Sequence, residues 1–393
     1  MKLLFVHSHV FKYDNYKNFY SGGQFPYKVL QERYLAYSDK LVVAARGKKV
    51  NSTENLNLSS GPNVEHYILP NLSVLKDRSD RVKKLNQDLE KLIHESDALV
   101  ARMPSIHAYH AIKIARQLNK PYVVEVVGDV FLSLWTHGHI FGKILAPVSY
   151  IKYRNVIKQS PYLIYVTEEY LQNKYPYHPN AVTINASNVD LPYVSERVLQ
   201  NKITRIRDMD IENEIKIGLI GSYASKYKGI DTAIKSIKIL NDRGYNCRLY
   251  VLGSGNNEWL INLSKKIVVE DKVVFAGSLP GGEQVLEWLD TMDIYIQPSL
   301  TEGLPRSLIE AMSRALPSIG SSVGGIPELI DQSFIHTPES EKMLSDKIEH
   351  LLMNKEIMLE QSKKNFVKSK EYTSDVLNNR RKKFWSHFIN KEL

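Results

Sequence analysis

Short runs of apolar, β-branched residues recur along the chain, separated by stretches with helical spacing. In the first half the runs are KLLFVHS at 2–8, KLVVAAR at 40–46, ALVARMP at 98–104, YVVEVVG at 122–128 and YLIYVTE at 162–168, with a shorter AVTI between Pro179 and Asp190. Helix-compatible segments lie between them, from Tyr27 to Tyr37 and from His110 to Gln117. This alternation predicts a parallel sheet with crossover helices. The rhythm pauses in a polar stretch from about Leu191 to Glu214, then resumes with IKIGLIGS at 215–222, CRLYVLGSG at 247–255, KVVFAGS at 272–278 and DIYIQPS at 293–299. Two successive α/β halves follow: a domain over 1–200, a linker at 201–214, a second domain over 215–371 and a C-terminal helix over 372–393. That last helix offers Val376, Leu377, Phe384 and Phe388 for packing back toward the first domain.

Composition narrows the class. At about 150 residues per domain, 393 residues hold two to three domains. With 43% hydrophobic and 24% charged residues the chain is globular rather than disordered or fibrous. Its formal charge of +9 admits a membrane surface, a nucleic acid or an anionic small substrate. The charge is spread out, with no zinc-finger spacing and no continuous basic tract, which disfavours nucleic acid. A single cysteine, Cys247, permits no internal disulfide and points to a reducing, cytoplasmic setting. The opening MKLLFVHSHV lacks a long apolar region and a cleavage site and reads as a strand, and no run of 18 apolar residues occurs. No metal site is expected: Asp208-Met209-Asp210 falls in the polar segment between the halves.

Two α/β halves imply a cleft, with ligands outside the carboxyl ends of the strands. DIYIQPSLTEGLPRSLIEAM at 293–312 supplies a strand, a loop and a helix there. Pro305 suits the first helical turn, so the amides of Gly303 and Leu304 can face an anion at the positive end of that helix. Glu302 lies in the loop and Glu310 about a turn and a half into the helix. An eight-residue helical rise spans about 12 Å, enough to bracket a diphosphate. Both carboxylates would then accept hydroxyl hydrogens rather than form an acid/base pair.

This segment, together with GSYASKYKGIDTAI at 221–234, LYVLGSG at 249–255, VVFAGSL at 273–279 and PSIGSSVGGIPELI at 317–330, resembles the retaining glycosyltransferases of family 4. The family's Glu-x7-Glu motif is Glu302 to Glu310. The resemblance implies the GT-B architecture, two Rossmann-like domains facing across a deep cleft. It implies a nucleotide-sugar donor, a UDP-sugar before other nucleotides, lying against the C-terminal domain, with no cofactor. Glu310 would hold the ribose, while Glu302 and the Gly303 and Leu304 amides would approach the donor sugar and distal phosphate. Lys228 would neutralise the diphosphate, as a compact ammonium can. Gly253, Ser254 and Gly255, with Gly277, Ser278 and Leu279, would line the base. The family usually places an arginine where this chain has Ser222. Lys226 or Arg306 is the candidate for the second positive charge.

The first half is matched more weakly and would choose the acceptor. Gly22 and Gly23 form a flexible doublet between the first strand and its helix, either facing the donor phosphates or making a structural turn. Arg102 and Ser105 would hold an acceptor phosphate or hydroxyl, or Arg102 would form a domain-interface ion pair. Asp129 stands near the position where many relatives carry a histidine and is the candidate for contacting the donor sugar or the accepting hydroxyl, with His137 and His139 as weaker alternatives. Segment 131–159 mixes Phe131, Trp135, Phe141 and Tyr150 with Lys143, Lys152, Arg154 and Lys158, so it would seat either against anionic lipid or as a cleft helix with a solvated basic side. The whole predicts a metal-independent, retaining hexosyltransferase of bacterial capsule or O-antigen synthesis. Its acceptor would be a glycan or polyprenyl-diphosphate-linked oligosaccharide, at the inner face of the plasma membrane. Rival readings are a GT-B nucleotide-sugar epimerase, a non-catalytic carbohydrate-binding protein and a dehydrogenase; the last lacks its GxGxxG fingerprint.

Overall fold

The apolar runs become strands of two separate sheets in the computed structural model, which describes residues 1–54, 56–72, 77–136 and 140–393. The first sheet holds β1 (Lys2–Tyr13), β2 (Phe19–Ser21), β3 (Lys40–Lys49), β4 (Asn57–Leu58), β5 (Val64–Ile68), β6 (Ala98–Met103), β7 (Tyr122–Val126), β8 (Tyr162–Tyr165) and β9 (Val182–Asn185). The second holds β10 (Ile215–Ile220), β11 (Cys247–Leu252), β12 (Val273–Phe275), β13 (Ile294–Gln297), β14 (Ser318–Ser321) and β15 (Ile335–His336).

Parallel pairing runs β5-β3-β1-β6-β7-β8-β9 in one sheet and β12-β11-β10-β13-β14-β15 in the other. In each, the strand order reverses at the first strand of the half, the switch point outside which α/β sheets bind ligands. β6 is buried at all six residues, as a central parallel strand covered on both faces must be. One feature departs from the pattern: β1 continues past Val6 through a register shift to Tyr13, where it pairs antiparallel with β2, which in turn pairs with β4.

Side-chain alternation along β1 divides the first core into two. Leu4 and Val6 join Leu99, Ala101, Val124 and Val126 on one face, under the helices Arg78–His94 and Ile106–Gln117. Leu3 and Phe5 lie on the other face, with Phe384, Trp385 and Phe388 of the helix Ser374–Glu392. The C-terminal helix therefore returns to the first domain, as the fold expectation has it. Leu377 is also buried, but Val376 is 37% exposed, and Trp385 and Arg381 take the inward positions instead. The stretch expected as a linker at 201–214 is mostly the helix Glu196–Asp208; Leu199, Ile203 and Ile206 recur at helical spacing and pack onto the second core.

The domains meet through loops at the carboxyl ends of their strands. A Cβ on Gly303 would come within 2.2 Å of the Val127 carbonyl oxygen, so only glycine allows this approach. Leu304 packs against both the second core and one face of the first. The Glu328 carboxylate accepts the amide hydrogens of Glu168, at 2.7 Å, of Glu169, at 3.1 Å, and of Tyr170, capping the short helix Tyr170–Lys174 across the domain boundary. No described helix is long and apolar enough to cross a membrane.

Candidate functional site

Between the two sets of loops lies a cavity of about 430 Å³. Its C-terminal wall is Tyr227, Thr301, Glu302, Gly303, Leu304 and Arg306; the opposite wall includes His7, Gln24, Arg33, Arg102 and Gly128.

On the C-terminal wall, β13 ends at Gln297 and the chain turns through Ser299 to Glu302 before the helix Arg306–Ser313. Glu302 is held from three sides. Its Oε1 accepts from Lys228 Nζ at 2.7 Å, from Ser299 Oγ at 2.7 Å and from Gln297 Nε2 at 3.2 Å. Gln297 is itself fixed, because its Oε1 accepts from the Tyr295 and Ser307 hydroxyls. Lys228 reaches Glu302 from the loop after β10, where Gly229 turns at φ 67° and a Cβ would strike the Pro298 carbonyl oxygen at 1.9 Å. Burial opposes the charge on Lys228, but Glu302 and the neighbouring Tyr227 outweigh it and raise its pKa above the ordinary lysine value. The ammonium is therefore fixed and charged. Among the described residues, no acceptor takes the amide hydrogens of Gly303 or Leu304, and no donor reaches the Glu310 carboxylate. Burial raises the Glu310 pKa above its usual value, with Arg306 opposing the shift.

Of the two candidates for a second positive charge, Arg306 borders the cavity and Lys226 does not. Lys226 Nζ sits 5.6 Å from the Trp259 ring centre and does not line the cavity. Arg306 Nη1 instead donates to the Gly23 carbonyl at 3.0 Å, bridging the walls. Ser222 Oγ donates to the Ser254 carbonyl at 3.2 Å and so ties the loop after β10 to that after β11. Gly253 N donates to the Gly277 carbonyl at 2.7 Å, and the buried Tyr223 hydroxyl accepts from Gly277 N at 3.0 Å. Ser254, Gly277, Ser278 and Leu279 consequently form an exposed rim beside the loop after β10.

The N-terminal wall departs further from expectation. Asp129 borders the cavity, but its side chain is 0% exposed and its carboxylate is taken up by neighbouring groups. Tyr175 donates to it at 2.7 Å, Tyr170 at 3.2 Å and Phe131 N at 2.8 Å, with Lys174 Nζ 3.4 Å away. Its acceptor capacity is spent on the start of the helix Val130–Thr136, which makes it a positioning residue. Ser105 is likewise committed, accepting from Ala108 N at 3.1 Å as a helix N-cap and contacting Ser8 Oγ at 2.7 Å. Arg102 pairs with Glu125 at 2.8 Å on the adjacent strand of its own domain, not across the domain interface, and it also lines the cavity. A Cβ on Gly22 or Gly23 would meet nothing within 4 Å, so the protein alone does not demand glycine there. His137 and His139 lie outside the described residues.

Sequence reasoning missed His7, Arg33 and Tyr227, all of which line the cavity. Arg33 donates through both Nη atoms to Asn188, at 2.9 Å to Oδ1 and 2.7 Å to the carbonyl. His7 Nδ1 is buried without a hydrogen-bond partner among the described residues. No local motif marks either residue, since they meet only through the fold.

Residues 204–369 match the family model described as glycosyl transferases group 1. Protein CapJ of Staphylococcus aureus is 36% identical over 358 residues, 91% of this chain and 88% of CapJ. The amylovoran biosynthesis glycosyltransferase AmsK of Erwinia amylovora is 36% identical over 115 residues, 27% of this chain and 28% of AmsK. Among solved structures, HepE of Anabaena in complex with UDP superposes with a TM-score of 0.69 at 15% identity, over 98% of this chain and 100% of HepE. The fold is that of the GT-B glycosyltransferases.

Proposed function

The chain belongs to the group 1 glycosyltransferases, and on that premise we propose that it transfers a sugar, with retention of configuration, from a UDP-sugar to a hydroxyl of a surface-polysaccharide acceptor. The observation that carries this reading is the loop-and-helix unit after β13 with the loop after β10 beside it. The first carries two unpaired amides and the Glu310 carboxylate, and the second a lysine fixed by the cavity residue Glu302. Lys228 and the Gly303 and Leu304 amides suit a diphosphate, and Glu310 suits the vicinal hydroxyls of a ribose. HepE, of the same fold, has been solved with UDP and with UDP-glucose, which favours uridine. AmsK, a glycosyltransferase of amylovoran biosynthesis, favours polysaccharide synthesis.

In this reading Glu302 balances Lys228 until the donor arrives. As the bond from the anomeric carbon to the diphosphate breaks, negative charge grows on the leaving oxygen, and Lys228, Arg306 and the amides stabilise it more than they do the ground state. The acceptor oxygen bonds to the anomeric carbon on the same face, and its proton passes to the departing phosphate oxygen. Calorimetry with UDP, GDP, ADP and TDP tests the donor half. UDP is expected to bind selectively and to weaken at least about tenfold in Glu310→Ala; equal affinity in the variant would remove the ribose assignment.

The membrane half of the reading rests on the helix Ile140–Lys158. Ile140, Ile144, Leu145, Val148 and Ile151 are between 49% and 71% exposed, and Lys143, Lys152 and Lys158 are exposed beside them. An apolar ridge flanked by ammonium groups matches an anionic lipid surface, which would bring a lipid-linked acceptor to the cleft. Cosedimentation with vesicles containing phosphatidylglycerol should fall several-fold in Ile144→Asp; unchanged binding would leave the acceptor without this membrane route.

A further inference from the structure

The N-terminal wall of the cleft gathers positive charge that its own structure does not neutralise. Arg33, Arg102 and Arg381 are each more than nine-tenths buried. They come from the first helix, the end of β6 and the C-terminal helix. Among the described residues the enclosed carboxylate beside them is Glu125, and it is already shared: Arg102 Nη1 donates to it at 2.8 Å, and the Tyr34 hydroxyl lies 3.0 and 3.1 Å from its two oxygens. The nearby Asp190 is partly exposed and paired with Lys28 at 3.2 Å. Arg33 and Arg381 donate to neutral groups, Asn188 and the Ser187 carbonyl. A neutral donor would satisfy those acceptors equally well, so the hydrogen bonds do not account for the charges. Burial above all, with smaller contributions from the neighbouring Arg381 and Arg102, pushes the Arg33 pKa down to about 9. Uncompensated buried charge is costly unless something pairs with it.

Arg33 and Arg102 border the cavity, across from Glu302 and Arg306, with His7 beside them. We infer that this wall is an oxyanion site, where Arg33 and Arg102 hold a phosphate, diphosphate or carboxylate group of one of the two sugar substrates. The inference rests on the glycosyltransferase reading for the identity of those substrates. It adds that one of them carries an anion besides the donor diphosphate. Guanidinium groups suit this task because they bind oxyanions through paired N–H donors and stay charged when buried.

Inorganic pyrophosphate is the probe, titrated calorimetrically into the wild-type chain, Arg33→Gln and Lys228→Gln. The wild type should bind it, Arg33→Gln should bind at least about tenfold more weakly, and Lys228→Gln should retain binding at the N-terminal wall. Absence of binding to the wild type, or binding lost only in Lys228→Gln, would overturn the site. If Arg33→Gln does not fold, wild-type crystals soaked in pyrophosphate decide the matter. Density within hydrogen-bond reach of Arg33 or Arg102 supports the proposal, and density at Lys228 alone overturns it. A second arm finds the source. UDP-glucuronic acid binding tighter than UDP-glucose, with the preference lost in Arg33→Gln, puts the anion on the donor sugar. Equal binding of those two, with farnesyl diphosphate weakened by Arg33→Gln, puts it on the acceptor. Indifference of both ligands to Arg33→Gln contradicts the proposal. Failure of wild-type chain to bind UDP would instead sink the donor-half reading, leaving the pyrophosphate result to stand on its own.

Discussion

The two walls of the cleft hold cationic groups in opposite ways. On the C-terminal wall Lys228 has one carboxylate of its own, Glu302, and the groups left open are peptide amides and the Glu310 carboxylate. On the N-terminal side three buried arginines lie beside the enclosed carboxylate of Glu125, which bonds to Arg102 alone among them, while that of Asp129 is taken up by Lys174 and two tyrosines. The first wall is balanced at rest and can exchange its internal anion for a ligand's. The second carries a surplus at rest. A paired site loses little when its ligand leaves, whereas a surplus site is strained until a ligand arrives.

The comparison is broken most forcefully at Glu125. Removing it leaves Arg102 buried without its partner, so Glu125→Ala should lose about 3–5 kcal/mol of stability in urea unfolding. A loss under about 1 kcal/mol would mean that the charge is screened, and that the walls do not differ as described. On the other wall, Lys228→Ala should cut turnover by about 10²–10³-fold while changing UDP affinity less, because its charge matters most as the leaving group forms. Equal effects on affinity and turnover would make Lys228 a binding group only.

The smallest effect lies behind the N-terminal wall, in the first domain. Burial holds His9 and His66 neutral and lowers both from 6.5 to about 4. Below pH 6.5 the unfolded chain then binds more protons than the folded one. Their contribution to stability is full above that pH and declines as pH falls toward 4, by at most about 1.4 kcal/mol per pH unit for each. Urea unfolding between pH 7 and 5 should show a shallower loss in His66→Gln than in the wild type. Parallel slopes would show that His66 titrates normally.

The C-terminal wall was legible in the sequence because its groups are local. Glu302, Gly303, Leu304 and Glu310 lie on one strand–loop–helix segment, and a loop of fixed length fixes their relation. Lys228 joins them because adjacent parallel strands β10 and β13 bring both loops to the same sheet edge. Of the N-terminal wall only Arg102 was legible, for the converse reason. His7, Arg33 and Arg381 sit far from it along the chain, and their proximity depends on sheet order and on the returning C-terminal helix. Asp129 shows the same limit at one residue. Its place after β7 was foreseeable, but its capture by Tyr170, Tyr175 and Lys174 comes from a later segment of chain. At 201–214, low aromatic content suggested a linker, yet Leu199, Ile203 and Ile206 had helical spacing that a polar average conceals.

The most direct test of the division between the walls is a crystal structure of the chain with UDP bound. The ribose hydroxyls should lie within hydrogen-bond distance of Glu310 and the diphosphate against Lys228 and the Gly303 and Leu304 amides, leaving Arg33 and Arg102 free to meet a second anion. A diphosphate resting instead on Arg33 and Arg102, with Lys228 still paired only to Glu302, would contradict the account.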